Sequence, residues 1–218
     1  MSNAIDFAKF FLKRGLDTNR NSYDGNMKLQ KLLFFADFIS ISETGKVLFP
    51  EPILALTNGC VVESVRLRYK NDCLGLCQDS EVFQPDFTQQ EYDILNLTTD
   101  IFGKLTAREL SELNHSFSFW KVAYERSKNE NGYRDKDLAI VRDSEMLKEA
   151  QKIKLLIKQY KTNRTDRSAS ELVNGVTFYH LPDLELSDEI MEKLDKFSVV
   201  ADESAYSIYF EDGNLVIV

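Results

Sequence analysis

The stretch MKLQKLLFFADFISISETGKVLF, residues 27–49, carries seven large aliphatic or aromatic side chains in its first thirteen positions: Leu29, Leu32, Leu33, Phe34, Phe35, Phe38 and Ile39. Wound as a helix at about 100° per residue, it places Leu29, Leu32, Leu33, Ala36 and Ser40 on one arc, with Ile39 at its edge. Lys31, Phe34, Phe35 and Phe38 fall on the opposite side, and Lys28 and Gln30 on the two shoulders. A helix on the surface of a globular protein needs one apolar stripe, and this one has two. Two arrangements satisfy that pattern. Either the helix is central and sandwiched between layers of its own chain, or its second side faces a protein partner, with Phe34, Phe38 and the neighbouring basic groups as anchors.

The surrounding chain predicts a mainly α-helical domain over residues 1–162, a polar linker over 163–170 (TNRTDRSAS begins at 162), and a small acidic α+β module over 171–218. A first helix is expected over 3–13, ending at Gly15, followed by the loop TNRNSYDGN and the two-faced helix over about 27–42. LFPEPILAL contains two prolines and reads as extended, entering a turn at Asn58-Gly59 before a short helix that begins in VVESVRLRYK. Thr88-Gln-Gln-Glu91 and Thr106-Ala-Arg-Glu109 are capping boxes, in which a Thr hydroxyl and a Glu carboxylate each satisfy a free N–H at the helix start. FSFWKVAYERS continues as a helix, with Trp120 read as core, and Asp143-Ser144 is expected to cap one long helix to about residue 161. In the last fifty residues GVTFYHL, AYSIYF and LVIV read as strands around the helix SDEIMEKLDKF, a βαββ module with a turn at Glu211–Asn214. The fold class is therefore α+β.

Charge restricts the partners. Residues 1–163 hold 23 basic and 23 acidic side chains, whereas residues 164–218 hold 4 and 12, so the whole formal charge of −8 lies in the last quarter of the chain. A phosphate backbone would repel that segment, and nucleic acid is not an expected partner. The acidic segment reads either as a solvated surface or as a docking face for a basic partner. Asp6, Lys9, Lys13 and Arg14 interrupt any leader-like apolar run, and no apolar run reaches the length of about 18 residues that crosses a membrane. Three cysteines, Cys60, Cys73 and Cys77, fit a reducing compartment, so the expected location is the cytoplasm.

No glycine-rich phosphate loop, nucleophile elbow or HExxH pattern is present. Cys60, Cys73, Cys77 and His115 could make a zinc site, but C-x12-C-x3-C is not a standard zinc spacing. A Cys60/His115 nucleophile pair is the other enzymatic alternative, a hydrolase, and nothing local supports it. His115, at a helix end in ELNHSFSFW, reads as structural, where a protonated ring would meet the negative end of the helix. No catalytic residue, metal or cofactor is expected.

The same residues resemble a known family. Lys28–Ala36, Gly45, Leu48-Phe49, Glu51, Ile53, Ala55, Gly59, Val61 and Tyr69-Lys70 follow the opening block of the Panacea domain family, the SocA-like or phage-associated proteins. Leu110, Ser111, Leu113, His115, Trp120 and Ala123 follow its second block, and the resemblance extends over about 4–127. Where the family pattern has Gly-Pro-Val, this chain has Gly59-Cys60-Val61, and Cys lacks the fixed φ of proline. The resemblance implies an antitoxin of a bacterial or prophage toxin–antitoxin pair, neutralising a protein toxin encoded nearby by direct binding, or alternatively acting as an adaptor that delivers the toxin to the ClpXP protease. It brings no cofactor and no catalytic residue. Under this reading Lys28, Gln30, Lys31, Phe34, Phe38, Gly59 and Tyr69 are the expected partner-binding residues. Leu29, Leu32, Leu33, Gly45, Leu48, Phe49, Leu110, His115 and Trp120 are expected to be structural.

Overall fold

Asn3 opens helix α1 (Ala4–Lys13) by accepting a hydrogen bond from the Asp6 N–H, while Asp6 accepts from the Asn3 N–H. The computed structural model describes residues 2–129, 131, 133–165, 169–180, 184–211 and 214–218. They divide into two compact units, residues 1–156 and 157–218.

Helix α2 (Tyr23–Thr44) begins at Tyr23 rather than Met27, because Ser22 Oγ accepts from the Gly25 N–H at 3.0 Å and turns part of the expected loop helical. It ends at Gly45, whose φ of 73° is the left-handed conformation that closes helices at low cost for glycine. Every residue from Lys28 to Ser42 is buried. The question raised by the two apolar faces is thereby answered by the chain itself. Phe35 stacks on Phe102 with ring centroids 4.2 Å apart, and Phe38 meets Phe117 and Phe119 edge-on at 5.2 Å from each. Phe34 lies against Phe119 at 5.8 Å. Leu29, Leu32, Leu33 and Ala36 are fully buried on the other side. The alternative in which Phe34 and Phe38 face a partner is thus corrected: both are closed to solvent by rings of their own chain.

Strands β1 (Ile53–Leu56) and β2 (Gly59–Val62) form an antiparallel hairpin, with Leu56 opposite Gly59 across the turn. Helix α3 (Glu63–Val82) runs much further than the short helix expected from its first residues and bends at Asp72, which leaves helical geometry at φ −153° and ψ 64°. Helices α4 (Gln89–Phe102) and α5 (Ala107–His115) start at the capping boxes read from the sequence. After α6 (Ser118–Arg126), the long helix expected from Asp143 is two helices, α7 (Asp143–Leu147) and α8 (Ala150–Thr165). Its cap is also displaced by one residue, since Arg142 takes the N-cap position and donates its N–H to Glu145.

The second unit holds β3 (Ala169–Val173), β4 (Val176–His180), α9 (Asp188–Ser198), β5 (Ala205–Glu211) and β6 (Asn214–Ile217). The sheet order is β3-β4-β5-β6, with β4 and β5 parallel through the α9 crossover and the other neighbours antiparallel. Ile190 and Leu194 of α9 pack with Val176, Phe178 and Ile208. Ser187 caps α9 through the Ile190 N–H. The sheet has one strand more than the βαββ pattern, because ASELV is too polar to announce itself. The linker expected over 163–170 falls on the end of α8, on residues 166–168, which lie outside the described residues, and on the start of β3. The centre of the turn expected at 211–214, Asp212 and Gly213, also lies outside them. The fold class is α+β and mainly helical.

A buried ring at this position tests the packing. Phe38→Ala should destabilise the protein by about 3–5 kcal/mol, read as a lower urea midpoint. Leu67→Ala on the exposed side of α3 should stay within about 0.5 kcal/mol of the wild type.

Candidate functional site

A two-stranded hairpin leaves two edges of unpaired backbone groups, and in this fold both edges are closed without a third named strand. On the β1 side, Ala55 N–H donates to Ala139 O at 2.8 Å and Val141 N–H to Ile53 O at 2.9 Å. On the β2 side the partners are side chains. Gln30 Oε1 accepts from Val62 N–H at 2.8 Å, Asn114 Oδ1 accepts from Cys60 N–H at 2.7 Å, and Lys31 Nζ donates to Cys60 O at 2.9 Å. The turn is held from the second sequence block: Ser111 Oγ donates to Asn58 O at 3.0 Å and Trp120 Nε1 to Leu56 O at 2.9 Å. The two blocks, joined by hydrogen bonds that span 53 to 64 positions of the chain, therefore converge on one hairpin.

This accounts for most of the polar residues singled out from the sequence. Gln30 and Lys31 are buried because they serve as hydrogen-bond partners of β2, so the polar edge expected to lead outward is turned inward. Lys28 is likewise buried, donating to Gly103 O at 2.8 Å and Thr18 Oγ1 at 3.0 Å. Tyr69 is buried too. Its hydroxyl donates to Asp17 Oδ2 and accepts from Asn21 N–H, each at 2.9 Å. Gly59 has φ 95°, and a Cβ there would come 2.8 Å from Lys31 Nζ, so both backbone geometry and space require glycine. His115 lies 4.0 Å from Trp120, ring to ring, and Trp120 is half-buried rather than in the core, stacked in turn on Tyr124 at 5.0 Å.

Burial governs the titrating groups. It pushes the Lys31 ammonium down to about 8, with no carboxylate beside it to oppose the shift. It pushes the Cys60 thiol up to about 11, so this cysteine stays protonated and is no ready nucleophile. Burial first, and Lys31 second, lower the pKa of His115, which favours the neutral ring over the imidazolium anticipated at the helix end. Its Nε2 is buried and, among the described residues, without a hydrogen-bond partner, so no Cys60/His115 pair is formed. The ligand atoms of Asp17, Cys73 and Cys77 lie within 4.8 Å of one another. Asp17 is already occupied by Tyr69 and by Arg20 Nε at 3.2 Å. Cys73 and Cys77 sit 3.9 Å apart, Sγ to Sγ, and Cys77 is pushed up to about 11 by burial. In that donor set the carboxylate is bonded to Tyr69 and Arg20, and the two sulfurs lie against each other.

Between the hairpin turn, the start of α2 and α3 lies a cleft of about 560 Å³. Gln30, Lys31, Val61 and Tyr69 form its buried base; Tyr23, Thr57, Asn58 and Lys70 form an exposed rim. Asn58 Nδ2 donates to Tyr23 Oη across part of it. Sequence reasoning found Gln30, Lys31, Gly59 and Tyr69 but not Asn114, Asp17 or Asp37. Asn114 carried one faint signal, a position three residues after Ser111 on the same helix face.

Asp37 anchors the segment before the hairpin, accepting from Leu48 N–H at 2.6 Å, and its burial pushes its carboxyl up to about 7. The folded state thus holds a proton that the unfolded chain releases near its ordinary value of 3.8. Its contribution is complete below that value and is lost as pH rises through about 7. Asp37→Asn, which keeps an acceptor for Leu48, should remove this loss: urea midpoints of wild type and variant should diverge between pH 4 and 7.5, with the wild type falling. Asn114→Ala should leave the buried Cys60 N–H unpaired and cost about 1–3 kcal/mol, measured the same way at fixed pH.

Residues 29–121 match the family model described as Antitoxin SocA-like, Panacea domain. The matched stretch contains most of α2, the hairpin and the block that clamps it, and leaves residues 122–218 outside. No curated protein and no solved structure matches the chain.

Proposed function

From the match of residues 29–121 to the SocA-like Panacea family, we propose that the protein is an antitoxin that neutralises a protein toxin by binding it directly. That match is the observation that carries the reading. The geometry bears on where contact is made. With Phe34 and Phe38 enclosed and Lys28, Gln30 and Lys31 bonded inside, the opening block supports the hairpin rather than touching a partner. The contact surface is then the rim around the hairpin turn, where Tyr23 is 66% exposed and Thr57 and Asn58 are open to solvent.

The second unit adds a different chemistry. Leu172, Tyr179 and Tyr209 alternate onto the sheet face opposite the α9-packed core and are all exposed. With the acidic excess of residues 164–218, this face suits a partner that is basic and partly apolar. Such a surface would compete with the anionic target of a basic toxin. Among the described residues no helix is long and apolar enough to cross a membrane.

Co-expression tests the reading. The product of the adjacent gene, expressed alone, should arrest growth of a bacterial host. Expressed with this protein it should be harmless, and the two should co-purify through a tag on this chain. Rescue in which the toxin disappears, and persists when ClpXP is absent, would instead assign delivery to the protease. Arrest without rescue would overturn both.

A further inference from the structure

A buried ammonium, Lys31, lies at the base of the cleft. Lys31 has three N–H bonds and, among the described residues, one acceptor, the Cys60 carbonyl. Behind Lys31, outside the cleft lining, Asn114 Oδ1 is taken by the Cys60 N–H. Among the described residues, no aspartate or glutamate lines the cleft. On the α3 wall stand Arg66 and the exposed Lys70. Glu63, which pairs with Arg66 at 2.6 Å, is shared with Lys136 at 2.7 Å, so one carboxylate faces two cations there. A buried ammonium without a counter-ion is costly in a folded protein unless something supplies the charge. The donors of that ammonium beyond its one bond to Cys60 O call for an acceptor.

We propose that this cleft is a binding site for an anionic group, a carboxylate or phosphate, that enters past Lys70 and Arg66 and is held by the charge of Lys31 at its base. Lys31 is closed to water, so its charge acts from beneath the floor, through a layer that screens it far less than solvent does. The cleft volume, about 560 Å³, lies within the span of small-molecule sites. The same chemistry is offered by a small phosphorylated compound and by an acidic side chain of a docked protein. The inference is independent of the antitoxin reading, since it rests on the cleft alone.

The titratable groups facing Lys31 are Cys60 from β2 and His115 from α5. Burial keeps Cys60 protonated to about 11 and disfavours the charged form of His115, so neither supplies a counter-charge near neutrality. Anion affinity should therefore be full below about 8 and decline as pH rises through it, when Lys31 loses its proton.

The test is calorimetric titration of the full chain with inorganic phosphate and with a hexaglutamate peptide, at constant ionic strength, at pH 6.5 and 9.5. Saturable binding is expected at pH 6.5, weaker by roughly tenfold in Lys31→Met, the effect of about 1.4 kcal/mol. Lys70→Gln, an exposed change that spares the fold, should also weaken binding, which keeps the test decisive if Lys31→Met unfolds. Phosphate binding alone would assign a small phosphorylated ligand; tighter peptide binding that displaces phosphate would assign an acidic side chain. Absence of saturation by either probe, or binding that Lys70→Gln and a folded Lys31→Met leave unchanged, would overturn the proposal.

Discussion

The hydrogen bonds along the open edge of β2 organise the first unit. A two-stranded hairpin is marginal in isolation, and an uncovered strand edge carries unpaired donors and acceptors that cannot be buried at low cost. Here Gln30, Lys31 and Asn114 take the place of a neighbouring strand. Their arrangement requires α2 and α5 to lie on the same side of the hairpin at hydrogen-bonding distance. That requirement places α2 in the middle of the unit, where both of its faces are covered. The aromatic layer of Phe102, Phe117 and Phe119 supplies the second cover.

Much of this was legible along the chain where the signal was local. The capping boxes at Thr88 and Thr106, the Ser187 cap and the doubled apolar pattern of α2 each require only a few consecutive residues, and each corresponds to an element of the structure. The fate of the polar residues was not legible in the same way. A lysine or glutamine between two apolar faces reads as a strip of surface, because no local pattern reports a backbone acceptor or donor some thirty residues away. Gln30 and Lys31 are such residues, and Asn114, bonded across 54 positions, gives still less warning. Strand β3 was hidden for a different reason, since Ser170 and Glu171 break the apolar alternation on which strand detection depends. The extent of α3 was obscured by its charge density and by the bend at Asp72.

The cleft follows from the same arrangement as the hairpin clamp. Lys31 is carried to the base of the cleft by its bond to Cys60 O, so the charge that biases the cleft towards anions is one that the fold already needs for structure. A hydrophobic substitute at position 31 would avoid the cost of burying an ammonium but would leave the carbonyl without its donor. Structural need and electrostatic consequence are therefore carried by one side chain. With the Phe34–Phe38 side enclosed, the proposed antitoxin role would place recognition on the hairpin rim and the acidic second unit.

Position 60 shows how a departure from a sequence pattern can be absorbed. The family pattern resembled by this chain has proline between glycine and valine, which fixes φ and removes an N–H. Cysteine there gives up the fixed φ and restores a donor on an edge that is buried. Asn114 Oδ1 accepts that donor at 2.7 Å, and Lys31 holds the carbonyl of the same residue. Two hydrogen bonds from two helices thus restrain the peptide that a proline ring would have restrained covalently. With Gly59 confined by its left-handed backbone and by the ammonium in front of it, the turn is held on both sides of the substituted position. At position 60 the restraint comes from the side chains that close the edge.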